Sequence, residues 1–541
     1  MSAPNGNSDR EEEGGRLFIV ANRLPISIKP REDGTYDFSV SPGGLASSLA
    51  GLATKVPFVW FGWPGIDVHR NDRDQLRRDL EQQHHAVPVF LNASLADRHY
   101  NGFSNSVLWP LLHRLPEKAD SNADWAEAYK EVNEIFADHV LPHLEDGDKV
   151  WIHDYHLLLL PSALRRRLRS KQIRIGFFLH TPFPSEDNFC ILPFREAICE
   201  GLFDCDVIGF HTRQYVDDFL DSAEKVLPDV RRSPHDLHYH DRKIIVHHFP
   251  VGIDPARFRE VLDTAEVQQE LSSLSCTYKG KVVMLGVDRL DYTKGIPQKL
   301  LAFDKFLTDN PQYLGKVVLI QLAVPTRPGV AEYIQLRKEV EGLVGRVNGR
   351  HSTPAYTPVV YMHRSVPFNL LGAMYALADV CIVSPIRDGL NLVSYEYVIC
   401  QAQKAASLRS APSSPHPATS PGPGIPPSYL DSSTNHADPN TNTSGPGTAH
   451  HPDPGVLLLS QYTGAATTLR SSVLFNPWDT PRFAEAIKKA VKMPSMERRK
   501  RHDDCVQIVE EHTSHRWGEK FLHTLEVLRV DCEMPNDVQR E

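Results

Sequence analysis

The run "KVVMLGVDRLDYTKG", residues 281–295, changes character abruptly. The apolar stretch KVVMLGV (281–287) gives way to DRLDYTKG (288–295), which packs two aspartates, an arginine and a lysine into eight positions. A near-continuous apolar run of this length reads as a strand of a parallel sheet covered on both faces. Charge gathered at its C-terminal end lies where open α/β sheets receive ligands. Working outward, "KVVLIQLA" (316–323), "PVVYMHR" (358–364), "DVCIVSP" (379–385), "VLLLS" (456–460) and "VLFNP" (473–477) repeat the strand pattern. An earlier series does the same: "RLFIVAN" (16–22), "FVWFGW" (58–63), "KVWIHDY" (149–155), "IRIGFFLH" (173–180), "DVIGFHT" (206–212) and "KIIVHHF" (243–249). Helical patterns fall between them, such as 125–144 and 160–170. Alternation of this kind twice over predicts two doubly wound α/β domains.

The boundary between the two series falls near "FPVGIDPARF" (249–258), where proline and glycine interrupt both patterns. The expected organisation is a polar tail at 1–15, a first domain at 16–250, a second at 251–495, and a helical segment with a tail at 496–541. Within the second domain, Ala411–Gly455 holds eleven prolines and almost no large apolar residues. Such a composition cannot bury enough surface to order itself, so 404–454 is expected to be a disordered surface insert.

At 541 residues the chain is too long for one core. Its 59 basic and 68 acidic residues leave a net charge of -9 with no basic stripe, which argues against nucleic acid as the main partner. The eight cysteines form no C-x-x-C pair and read as reduced thiols. The N-terminus lacks the pattern of a signal peptide, and no run approaches membrane-spanning length. An intracellular, cytoplasmic protein is expected.

A second charged loop stands in "SPIRDGLNLVSYEYV" (384–398). A strand ending at Ser384 and a helix starting near Asn391 leave Asp388 in the loop and Glu396 on the helix. The helix N-terminus offers free N–H groups to a phosphate. Glu396 could take a ribose diol and Asp388 a sugar hydroxyl. The plain alternative makes Asp388 a cap and Glu396 a solvated helix residue.

Taken in order, "ANRLP", "SPGGL", "YNGFSNSVLWP", "WIHDYHLLLLP", "DRLDYTKG" and "RDGLNLVSYEYV" resemble the α,α-trehalose-phosphate synthases, retaining glycosyltransferases of the GT-B fold. The resemblance runs from about 16 to 530, interrupted mainly by the 404–454 insert. It implies two Rossmann-like domains facing across a crevice, and transfer of glucose from UDP-glucose to glucose 6-phosphate. It further implies that Arg289 and Lys294 hold the diphosphate, with Asp288 and Asp291 orienting those cations. Leu392 and Val393 would supply backbone N–H groups, while Asp388 and Glu396 bind the donor sugar and ribose. Gly43 and Gly44 would turn tightly beside the donor, and His180 would contact it. On the acceptor side the resemblance points to Arg23, Trp63, Tyr100, Trp109, Asp154 and Arg327, with Arg23 and Arg327 on the phosphate. It implies no cofactor and no metal, Arg289 and Lys294 standing where magnesium would otherwise sit. Asp204 and Asp206 of "DCD" match a metal-dependent transferase triplet but precede the buried-looking "VIGF", and His153 and His156 flank an aspartate that already has a role.

No carboxylate pair suited to a retaining hydrolase can be read. The resemblance instead implies front-face transfer, with the departing phosphate accepting the proton. The absence of a phosphatase motif implies that the chain stops at the phosphorylated product. A homo-oligomer, or a complex with a separate phosphatase, stays open. Two rivals also stay open: a GT-B transferase with another donor or acceptor, and a non-catalytic regulatory subunit. Retention of the charged residues favours an enzyme over the latter.

Overall fold

Two parallel sheets organise the molecule. The computed structural model describes residues 15–32, 35–40, 44–53, 55–120, 122–168, 171–327, 329–410 and 453–527, with backbone alone for 403–410. The first sheet runs, edge to edge, Ala86–Pro88, Phe58–Trp63, Leu17–Arg23, Lys149–His153, Arg174–Phe178, Val207–Phe210, Arg242–His248, Asp236–Tyr239 and Arg231–Arg232. Its first seven strands are parallel, and the last two return antiparallel at the edge. The second runs Val359–Met362, Val317–Val324, Val282–Arg289, Val380–Val383, Val456–Ser460 and Val473–Phe475, all parallel. Every strand expected from the apolar runs is present, with ends shifted by a few residues. The sequence reading missed the hairpin Ile26–Pro30/Tyr36–Val40 and the short strands Ala86–Pro88, Arg231–Arg232 and Asp236–Tyr239. These are short or half-exposed, so their composition carries no apolar signature.

Burial explains the runs. In the strand Val282–Arg289 only the first residue and the terminal Arg289 escape full burial, because helices cover both faces and the strand end opens on the crevice. The final helix, Ser514–Val527, crosses back to the first sheet. Its Phe521 stacks on Trp151 at 4.3 Å and fills the space over Gly176, where a Cβ would stand 2.6 Å from the Phe521 ring.

The helix carrying Glu396 spans Val393–Ser410, so it continues past Gln401 into the stretch expected to lie in the insert. On the far side, Gly455 donates its backbone N–H to the Gln401 side chain at 2.8 Å, and the buried Asp453 pairs with Arg499 at 2.7 Å. The insert proper, 411–452, lies outside the described residues, as do the terminal segments 1–14 and 528–541.

Candidate active site

Two cavities meet in the crevice, and Asp154 lines both. The larger, about 860 Å³, is bounded by Arg23, Trp63, Tyr100, His156 and Arg327. The smaller, about 370 Å³, is bounded by Arg289, Lys294, Asp388, Leu392, Val393 and Glu396, with His180 opposite. Most of these residues sit at or just beyond strand C-termini of both sheets, as the open α/β architecture dictates, while Tyr100 and Glu396 come from helices.

In the larger cavity Arg23 ends the strand Leu17–Arg23 and lies over Trp63 at 4.6 Å and Tyr100 at 5.6 Å. Tyr100 projects from a wide, π-type helix, Arg98–Leu108, a geometry that no local pattern announces. Its ring stacks on His156 at 5.6 Å. Arg327, buried, donates to Asp291 at 3.3 Å and to the Tyr155 hydroxyl at 3.3 Å, and also contacts the Tyr333 hydroxyl. Trp109 departs from expectation. It lines neither cavity; it is buried as a platform beneath two guanidiniums, Arg327 at 4.2 Å and Arg289 at 5.2 Å.

In the smaller cavity the cations are held by carboxylates. Lys294 Nζ donates to Asp388 at 2.5 Å, and Asn391, in the left-handed region at φ 72°, adds its amide at 3.0 Å. Burial alone would raise the Asp388 pKa; Lys294 and Asn391 outweigh it and hold the carboxyl below its ordinary range. Asp291 is shared by Arg327 at 3.3 Å and Arg289 at 3.8 Å. Burial opposes its charge, yet these arginines and Lys294 lower its pKa to about 2. Asp288 does something other than expected. It bonds the fully buried Lys299 at 2.6 Å and Gln321 at 3.1 Å, so it anchors the strand end from beneath and leaves Asp291 and Asp388 to orient the site cations.

Helix Val393–Ser410 points its first turn into this cavity, with Leu392 and Val393 at its mouth. Glu396 accepts from the Tyr375 hydroxyl at 2.7 Å, and burial raises its pKa. Tyr375 escaped the sequence reading because "FNLLGAMYAL" (368–377) looks like core, and only the hydroxyl contact separates it from core. Gly44 opens the helix Gly44–Ala53 and touches both cavities, its Cβ position 3.5 Å from Leu392 across the crevice. Gly43 lies outside the described residues.

Between the cavities, Asp154 sits at φ 74° and accepts from the His180 backbone at 3.2 Å. Burial pushes its carboxyl up to about 6, against the pull of two backbone donors, Arg289 and Arg327. His180 meets His153 at 3.2 Å. Burial, then His153 and His211, keep its pKa well below the usual imidazole value. His211, unforeseen in the sequence, lines the smaller cavity and donates its Nε2–H to the His180 carbonyl at 3.1 Å, which fixes its tautomer. Asp206 is taken by Arg165 and Arg242 at 2.9 and 3.2 Å, a structural use of the "DCD" triplet. Among the described residues no cluster of three or more metal-ligating side chains occurs.

Two parallel-sheet domains facing across a crevice have the GT-B architecture of glycosyltransferases, and solved structures of such enzymes superpose on this chain. The sequence profile of glycosyltransferase family 20 matches residues 15–527, and the chain belongs to that family. It is 42% identical over 522 residues to the UDP-forming α,α-trehalose-phosphate synthase of Emericella nidulans, covering 96% of this chain and 94% of that one. It is 40% identical over 516 residues to the 56 kDa subunit of the Saccharomyces cerevisiae enzyme, covering 95% and 94%. Among solved structures, a Burkholderia xenovorans synthase in complex with glucose-6-phosphate superposes with a TM-score of 0.76 at 28% identity, covering 95% of this chain and 100% of that one. An E. coli chain bound with UDP-2-fluoro glucose superposes at 0.77 and 30% identity, covering 95% and 99%.

Proposed function

We propose that this chain transfers glucose, with retention, from UDP-glucose to glucose 6-phosphate, forming α,α-trehalose 6-phosphate and UDP. The observation that carries the reading is that a cavity walled by Arg23 and Arg327 and one walled by Arg289 and Lys294 adjoin at Asp154. The first suits a sugar phosphate and the second a nucleotide diphosphate, because arginine matches phosphate oxygens in pairs. Glu396 receives the ribose, and the N–H groups at Leu392 and Val393 face the diphosphate. His180, neutral, serves a donor-sugar hydroxyl, and Asp154 orients the acceptor's anomeric hydroxyl. That hydroxyl attacks C1 on the face from which UDP departs. The C1–oxygen bond to the phosphate breaks, and the departing phosphate oxygen takes the proton. Arg289 and Lys294 stabilise the charge that grows there, so no step needs a divalent cation.

The product keeps its phosphate, so a separate phosphatase, free or in a shared complex, is the partner this reading calls for. A cytoplasmic setting is proposed with it: the described cysteines are all unpaired, and no described helix is long and apolar enough to cross a membrane. The test is incubation of the purified protein with UDP-glucose and glucose 6-phosphate under thorough chelation, with the product identified by NMR. An α,α-linked disaccharide phosphate is expected. No product, or equal use of unphosphorylated glucose, would defeat the reading.

A further inference from the structure

The loop carrying Asp388 is gripped from both sides of the crevice. On its own side, Asp388 donates its N–H to the Tyr462 carbonyl, and its own carbonyl accepts from Gly464, both at 3.1 Å. From the opposite domain, Tyr215 on the helix Arg213–Val226 donates its hydroxyl to that same Asp388 carbonyl at 2.9 Å. One residue on, Gly389 lies against the other domain so closely that a Cβ would stand 2.1 Å from the His180 carbonyl oxygen. One residue back is Arg387. Arg114 and Asp218 of the first domain form an ion pair at 2.6 Å; burial and then the Arg114 charge weaken the hold of the half-buried Arg387 on its proton, while Tyr215 and Asp218 favour its charge.

The chemistry proposed above uses none of Tyr215, Arg114, Asp218 and Arg387. Tyr215 is buried, and its ring alone would satisfy the core. Its hydroxyl is spent on a carbonyl of the opposite domain, next to the carboxylate that holds Lys294.

We infer that Tyr215 is a positioning residue that latches the acceptor-side domain onto the 384–392 loop, setting Asp388 and the first turn of helix Val393–Ser410 toward the nucleotide diphosphate when the crevice is shut. The inference rests on the smaller cavity being the UDP-sugar site. A hydrogen bond that forms only in the shut state adds its free energy to whatever binds that state.

Tyr215→Phe removes the hydroxyl and keeps the ring. UDP affinity measured by calorimetry should fall about three- to tenfold, the worth of one net hydrogen bond. The KM for UDP-glucose should rise in step, while the KM for glucose 6-phosphate and the Tm stay at wild-type values. Asp218→Asn removes the ion-pair partner of Arg114 and leaves that guanidinium uncompensated near Arg387. It should cost more than Tyr215→Phe, and high salt should restore part of the loss. UDP affinity of Tyr215→Phe within twofold of wild type would overturn the latch. So would a lowered Tm with donor and acceptor constants worsened alike, which makes Tyr215 a packing residue. Failure of the wild-type protein to bind UDP would instead strike the reading of the cavity itself.

Discussion

Lys294 is ion-paired before any substrate arrives, because Asp388 holds its ammonium at 2.5 Å. Lys294→Ala should lower kcat on the order of 10²–10³-fold, the usual consequence of removing a fixed charge from a developing anion. It also strands the Asp388 carboxylate, whose pKa should rise once its main cation is gone. A group held low in the fold contributes stability above its unfolded pKa and loses it as pH falls through the folded one, so Lys294→Ala should forfeit that contribution. Lys294→Ala/Asp388→Asn should therefore recover Tm without recovering turnover. A kcat for Lys294→Ala within a few-fold of wild type would sink the role assigned to it. Asp154 has the opposite sign. Its carboxyl rises from 3.8 to about 6 through burial, so between pH 4 and 6 the unfolded chain sheds its proton first and stability falls as pH rises. At about 1.4 kcal/mol for each tenfold change in proton affinity, that rise makes the penalty about 3 kcal/mol at neutral pH. Asp154→Asn should raise stability at pH 7 by up to that amount, with the gain gone near pH 4, while turnover collapses. Urea unfolding at the two pH values checks this; equal gains at both would contradict it.

At the scale of elements, the decisive one is the strand–loop–helix unit that ends the strand Val380–Val383 and opens the helix Val393–Ser410. Its loop passes so close to the first domain that Gly389 admits no side chain without movement. Gly389→Ala should displace the loop and lower kcat/KM on the order of 10²-fold, as sub-ångström site geometry demands. The contrasting variant is Gly342→Ala, in the exposed face of helix Ala331–His351, where a Cβ meets nothing within 4 Å. It should raise stability by about 0.5–1 kcal/mol through helix propensity and leave turnover alone. If both variants behave alike, the close approach at Gly389 carries no function.

At the scale of the molecule, the insert leaves from a helix anchored independently of it. Gln401 bonds Gly455, and its amide reaches the Tyr375 and Ala378 carbonyls at 2.6 and 3.0 Å. Replacing 404–452 with a short Gly/Ser linker should keep kcat within twofold and leave Tm unchanged or slightly higher, since loop length costs only about 0.6 kcal/mol per doubling. Asp453 must stay, because its buried carboxylate pairs with Arg499. Removing it as well should lower Tm. A loss of turnover beyond about tenfold at constant Tm with the linker variant would give the insert a catalytic part.

The sequence by itself determined two parallel-sheet domains and where their charged loops fall. Apolar runs and helical periods are local, and burial on both faces of a parallel sheet writes them continuously along the chain. It also placed Asp388, Glu396, Arg289 and Lys294 at strand ends or helix starts through their immediate neighbours. Tertiary structure decided which charge meets which. Lys294 and Asp388 lie 94 residues apart, and Tyr215 and Asp388 lie 173 apart. Their pairing follows from sheet order and domain closure, so no short window contains it. The same cause sent Asp288 to Lys299, put Trp109 beneath two arginines and made Tyr375 a partner of Glu396. A side chain's type is fixed by the chain, but its partner is fixed by whichever elements packing brings to its face.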